Sequence, residues 1–336
     1  MHIIKAVVKL SFKTTDDLMS HLRKNGIDIQ GDTQKKQLIN TGYFHGYKGY
    51  RFFEKASRPI PFSKYSDVYA TIMYDSDLKS LFYSRIMFIE TAVKNIALER
   101  IMIDANSEKI QDMYNCVVAG YNSFDKNIDE RTKKKAQHNK LILEKNIQSS
   151  LVKAYDKNNP QIVHFYNKTN YDGVPLWALF EILTLGDFAY LLSCLDISTR
   201  DHITIDLGMK VASVDTNREL IYKYLYTLKD LRNAIAHNAV VFDARFREMD
   251  PSPAMKECLK REFRLPYINF KTIGDYLILI CFYLKLLGVS ETDIKEMIRD
   301  FEKITDEYKN SVESEVANMV IHPDLKSRIT ILKKSL

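Results

Sequence analysis

Apolar residues return at every third or fourth position through most of this chain, the spacing that lines one face of an α-helix. The clearest run lies between Asp77 and about Met102, where Leu78, Leu81, Phe82, Ile89, Ala92, Val93 and Ile96 form a single stripe. A second stripe, Ile221, Tyr224, Leu225, Leu228, Leu231 and Ile235, predicts a long helix that begins near Thr216 and stops just after His237. Thr216 and Glu219 have the spacing of a capping box at its start. Asn238 suits a left-handed residue at its end. Val174 to Leu195 reads as a helix pair, or as one helix kinked at Gly186.

The remaining segments are shorter or more polar. A β-like opening, Ile3 to Leu10, leads to a helix capped by Thr14 or Thr15, with Leu18 and Leu22 on its apolar face and Gly26 at its end. A helix around Lys35 to Asn40 runs into residues 41–55, where aromatics, glycines and basic residues crowd together. Residues from about Asp104 to Tyr171 are more polar and read as an insertion of helices and loops. Pro251, Ser252 and Pro253 make a break, followed by helices around Tyr276–Leu287 and Glu291–Lys309. The chain thus divides into an N-terminal helical and aromatic segment (1–68), a helical core with the polar insertion near 104–171 (69–248), and a C-terminal helical extension (249–336). The expected fold class is all-α, a helical bundle with additional N- and C-terminal helices.

Composition narrows the picture. Of 336 residues only 11 are Gly and 8 Pro, which argues for long helices and against a loop-rich or β-sandwich scaffold. The 46% hydrophobic and 27% charged residues are those of a globular chain, not a disordered one. The net charge of +6 permits an anionic partner without requiring one. Twenty tyrosines could stack on bases or fill helix interfaces with the hydroxyl at the rim. Cys116, Cys194, Cys258 and Cys281 are far apart and show no CxxC spacing, so neither a metal site nor a disulfide framework is indicated. The opening residues lack a signal-peptide apolar region, and the most apolar stretch, Tyr276 to Leu284, is too short to span a bilayer. A cytoplasmic protein with no cofactor and no membrane partner is expected.

The chemistry concentrates in Leu228–Asn238, LKDLRNAIAHN. Leu228, Leu231 and Ile235 bury one face, while Asn233 and His237 are one i,i+4 step apart and Arg232 sits at the edge of their face. A cation, an amide and an imidazole therefore converge near a helix end. Metal-independent RNA cleavage needs such a set. Histidine can move the proton of the 2′-hydroxyl or of the leaving 5′-oxygen, and arginine can hold the non-bridging oxygens of the phosphorane. One helix supplies one such histidine, and a two-fold homodimer would supply two. The spacing alone does not separate this from a surface arginine and a helix-terminal histidine favoured by the helix dipole. A looser match, Arg131 with His138, lies in the lysine-rich run 131–140 and lacks the asparagine.

The segment Arg232–Asn233–x3–His237 resembles the signature of HEPN ribonucleases. The order of five segments resembles the Abi (abortive infection, AbiD/AbiF-like) family of bacterial phage-defence proteins. These are SFKTTDDLMSHLRKNGIDI, INTGYFHGYKGYRFF (Ile39–Phe53), YDSDLKSLFYSRIMFIETAVK, WALFEILTLGDF (Trp177–Phe188) and LRNAIAHNAVVFDARF. The likeness covers roughly residues 10 to 246. Lys79 and Lys94 stand where arginine is usual, and Val240 where a basic residue is common.

The resemblance implies a HEPN-like bundle and an endoribonuclease of abortive infection or toxin–antitoxin systems, leaving a 2′,3′-cyclic phosphate. Its partners would be RNA, as substrate and as a small restraining non-coding RNA. It implies Arg232, Asn233 and His237 as catalytic residues, with Glu90 and Glu181 in support. Glu90 could equally be a plain i,i+4 partner of Lys94. Glu181, on an apolar helix, needs a partner, which could be Arg232. Tyr43, His45, Tyr47, Lys48 and Arg51 form a candidate base-stacking and phosphate-binding surface, or a packed aromatic corner. Lys133, Lys134 and Lys135 are candidates for RNA backbone, or a solvated face. A non-catalytic RNA-binding sensor using the same helix is the alternative to the nuclease.

Overall fold

The computed structural model describes residues 13–54, 58–118, 129–167, 173–209 and 215–336. The β-like opening at Ile3–Leu10 falls outside them. Helices run in order from α1 (Thr15–Lys24) and α2 (Gly31–Thr41) through a π-helical segment (Gly42–Lys48) to α3 (Tyr65–Ala105). Next come α4 (Ile110–Cys116), α5 (Glu130–Asp156), α6 (Pro160–Tyr166), α7 (Leu176–Ile182), α8 (Leu185–Cys194) and α9 (Ile197–Asp206). The last are α10 (Leu220–Ala236), α11 (Pro253–Glu262), α12 (Ile273–Leu286), α13 (Glu291–Ser311), α14 (Ser314–Val320) and α15 (Leu325–Ser335). Only isolated β-bridges occur among the described residues, so the fold is all-α.

Helix α3 is the axis of the molecule. Its 41 residues span about 60 Å at 1.5 Å per residue. Val68, Leu78, Phe82, Ile86, Ile89, Val93, Ala97 and Ile101 are all buried. Such long burial needs helices on more than one side, which is why apolar residues are not confined to one stripe. On one side α13 stacks Tyr308 on Tyr74 at 4.4 Å between ring centroids and sets Phe301 against Phe82. On the others lie α9, α10 and α12. The helix starts twelve residues before Asp77 and runs unbroken through residue 68, so the division expected at 68 falls inside one element.

Local chemistry explains most boundaries. Thr14 caps α1 in a reciprocal capping box with Asp17, and Gly26, at φ +82°, turns the chain away beyond it. The break in Val174–Leu195 is at Leu183–Thr184, where Thr184 caps α8, and not at Gly186. Gly186 instead lies under the Lys229 side chain of α10, whose Cδ would be 3.3 Å from a Cβ there. Helix α10 begins four residues later than expected from Thr216. The carboxylate of Asp215 accepts from the amides of Glu219 and Leu220, while Glu219 pairs with Lys223 and caps nothing. Between 104 and 171 the described residues include α5, whose Leu143, Ile147 and Leu151 are buried against α7 and α8. That segment is therefore built into the bundle, and its polarity belongs to its outer faces.

Candidate active site

Helix α10 carries the site because its two faces differ. Ile221, Tyr224, Leu225, Leu228 and Leu231 are almost fully buried, each contributing on the order of 2 kcal/mol. Arg232 and Asn233 are half-buried, and His237, at the C-cap, is exposed. The helix closes with the amide of His237 on Asn233 O (2.9 Å), and Asn238 then adopts φ +52°. Asparagine tolerates this left-handed turn better than most residues, as expected at this position.

Arg232 is steered from two sides. Its Nη1 donates to Asn233 Oδ1 at 3.2 Å, and its Nε lies 3.8 Å from Glu90 Oε2 on α3. Glu90 is only 11% exposed, and its other oxygen accepts from Lys94 Nζ at 3.0 Å. Lys94 also donates to Leu183 O (2.6 Å), one of the carbonyls freed where α7 ends. Oε2 is buried with no hydrogen-bond partner, so Arg232 is held by charge across a gap and not locked by a direct bond. Glu90 thus pairs with Lys94, as its i,i+4 spacing predicts, and also faces Arg232. Glu181 does neither. It is exposed on α7, and the carboxylate beside Arg232 is that of Glu90.

Behind the helix end lies a buried polar knot. Asp75, with no exposed surface, accepts from Tyr50 Oη (2.8 Å), the amides of Val241 (2.7 Å) and Phe242 (2.8 Å), and Lys79 Nζ (2.7 Å). Burial, and then the neighbouring Asp75 carboxylate, push the Tyr50 phenol well above its ordinary range, so it stays a donor. Lys79 reaches on to Asn238 Oδ1 at 2.8 Å. Asn238 Nδ2 lies 3.0 Å from His45 Nε2, joining the π-helical segment to the end of α10. Arg245 adds a second tie through Gly49 O (2.8 Å) and Phe52 O.

The aromatic segment divides by burial. Tyr43 and Tyr47 are core residues, 9% and 5% exposed, so their rings are not offered to a base and the packed aromatic corner is the alternative that describes them. Lys48 lies over the rings of Tyr43 and Phe44, and the Arg51 guanidinium lies over Tyr47 and Phe52. His45 and Lys48 are exposed, and so is Phe44, at 76%. The sequence gives no sign of the outward ring of Phe44, because an aromatic run without helical period does not show which ring turns outward. Lys134 and Lys135 are exposed and Lys133 half-buried on the first turns of α5.

Among the described residues no group of three or more His, Cys, Asp or Glu side chains is placed to hold a metal ion, and no helix is long and apolar enough to cross a membrane. The fold and this helix end define an all-α protein in which Arg232 faces the buried Glu90 carboxylate and bonds Asn233, with His237 at the C-cap of the same helix. The family model for Abi-like proteins matches residues 36–243, more than half of the chain, and the chain belongs to that family. The match takes in α3, α10 and the π-helical segment, while α1 precedes it. Neither the comparison with curated proteins nor that with solved structures gave a match.

Proposed function

We propose that this protein is a metal-independent endoribonuclease of the HEPN type, acting in phage defence by abortive infection or as the toxin of a toxin–antitoxin pair. The observation that carries the reading is the placement of Arg232, Asn233 and His237 on the last turn and C-cap of one accessible helix end, with Glu90 facing Arg232 from behind. In the reaction a 2′-hydroxyl loses its proton and attacks the adjacent phosphorus, and the 5′-oxygen departs with a proton. Arg232 stabilises the phosphorane, Asn233 orients Arg232, and His237 transfers a proton. Membership of the Abi-like family supports the cellular role. The expected setting is cytoplasmic, with a homodimer bound to a small structured RNA that restrains it.

The test is expression of wild type beside Arg232→Ala and His237→Ala, with growth and RNA ends followed together. Toxicity with new 5′-hydroxyl and 2′,3′-cyclic phosphate ends, absent in both variants and retained by purified protein in EDTA, is the expected result. Both side chains are solvent-accessible, so neither variant should lower the melting temperature appreciably. Bound RNA without new ends in any of the three proteins would instead make the chain a non-catalytic RNA sensor.

A further inference from the structure

Cleavage at the end of α10 requires RNA to be held there, and the segment beside it has the chemistry to hold one form of RNA. We propose that Phe44 is a stacking platform for an unpaired base and that Lys48 holds a phosphate beside it. The RNA is then single-stranded where it meets the π-helical segment. This rests on the ribonuclease reading above and narrows its substrate class.

Exposure singles out Phe44. Its ring is 76% exposed, more than any other Phe, Tyr or Trp among the described residues. A ring left in water contributes little to the fold. Yet it is held in place. It meets the ring of buried Tyr43 at 5.6 Å and 87°, and Tyr43 packs on Tyr47 at 5.7 Å. Lys48 Nζ lies 5.0 Å from the Phe44 centroid. A ring already set in direction takes a base without the entropy cost of being ordered first.

Charge points to RNA as the occupant. From Thr33 to Phe53 the chain has no Asp or Glu, and it has Lys35, Lys36, Lys48 and Arg51. Lys35 is engaged by Asp16 at 2.7 Å. Lys48 and Arg51 lie over aromatic rings and form no ion pair with a carboxylate among the described residues. An ammonium resting on a ring is free to meet a phosphate, whereas one paired with an acid must first give up that partner. Each nucleotide presents a flat base and a phosphate, the two features that a ring beside an ammonium matches. In a duplex both faces of a base are covered by its neighbours, so only an unpaired base can reach Phe44.

Position ties the platform to α10. His45 Nε2 lies 3.0 Å from Nδ2 of Asn238, which directly follows His237, and Phe44 directly precedes His45. The segment is a π-helix, a rare geometry frequent at functional sites. Gly46 permits it, because a Cβ there would sit 3.0 Å from Thr41 Oγ1 and 3.2 Å from Thr41 O. The same turn that buries Tyr43 and Tyr47 leaves Phe44 outside.

The experiment uses purified full-length protein and a short single-stranded RNA of mixed sequence, methylated at its 2′-oxygens so that it cannot be cut. A second form carries 5-iodouracil, which crosslinks under ultraviolet light to an aromatic ring on which it stacks. The wild type should bind the single strand at least about tenfold more tightly than the same sequence as a duplex, and the crosslink should map to Phe44. Phe44→Leu keeps the apolar bulk without the flat face. It should weaken binding about tenfold, with melting temperature and sedimentation unchanged, and Phe44→Trp should restore binding. Lys48→Ala should lower the slope of log affinity against log salt by about 0.7. A Phe44→Leu protein that binds like wild type, a duplex bound as tightly as the single strand, or no adduct on Phe44 overturns the platform. So does a Phe44→Leu protein of altered oligomeric state, which would make the ring a contact between copies. A wild type that stacks the base but never cuts ordinary RNA ends the ribonuclease reading and leaves the platform to an RNA sensor. A wild type that cuts ordinary RNA while Phe44→Leu changes nothing ends only this inference.

Discussion

Helix α3 carries two acid–lysine pairs of the same i,i+4 spacing, Asp75–Lys79 and Glu90–Lys94, and both serve the end of α10. Their finish differs. Asp75 is saturated by two backbone amides, a phenol and an ammonium, and Lys79 passes the order on to Asn238. Glu90 keeps one buried oxygen without a hydrogen bond, 3.8 Å from Arg232. A buried carboxylate with every acceptor site used fixes geometry, because moving any partner costs a hydrogen bond in a low-dielectric setting. A carboxylate with an idle oxygen keeps its arginine near yet free to turn toward a phosphate. One pair builds the site and the other leaves it room to act.

The largest effect should come from Asp75→Ala. It strands Lys79, Tyr50 and two amides, and removing one partner of a buried pair costs roughly 3–5 kcal/mol. Urea unfolding should show a loss of that size, and a loss below about 1 kcal/mol would erase the contrast between the pairs. Asn238→Gly keeps the left-handed turn but takes the acceptor from Lys79. It should cost about 1–2 kcal/mol in the same assay. Glu90→Gln keeps an acceptor for Lys94 but removes the charge facing two cations, and should cost about 1–2 kcal/mol, less than Asp75→Ala. Cleavage should fall about tenfold as Arg232 loses its bearing, since small misplacements are costly in rate. Equal loss of rate and stability would place Glu90 with Asp75 as a building group. The smallest effect is expected for Glu181→Ala, within about 0.5 kcal/mol and with unchanged cleavage, because that carboxylate is exposed. A lost rate there would return it to the site.

What sequence could anticipate was local. The stripe of α10, its end at His237, the turn at Asn238, the Thr14 cap and the Glu90–Lys94 pair all depend on residues within one or two helical turns. Where expectation failed, a competing local group or a distant one decided. Asp215 took the capping role assigned to Thr216 because its carboxylate reaches two amides. For Tyr43 and Tyr47 both a stacking surface and a packed corner had been open, and the π-helical segment decided for the corner by turning them toward the core and Phe44 outward. The early start of α3 hid Asp75, which precedes the recognisable stripe. The meeting of His45 with Asn238 leaves no periodic trace, since 193 residues separate them.

That separation has a consequence during synthesis. Ribosomes add about 5–20 residues per second, so roughly 10–40 seconds pass between translation of the π-helical segment and translation of Arg245. Until then the amides of Val241 and Phe242 that seat Asp75, and the guanidinium that ties down Gly49 and Phe52, do not exist. A growing chain, or one truncated before these residues, carries either histidine without its setting. The end of α10 therefore gains its full set of buried ties only once Arg245 has been made.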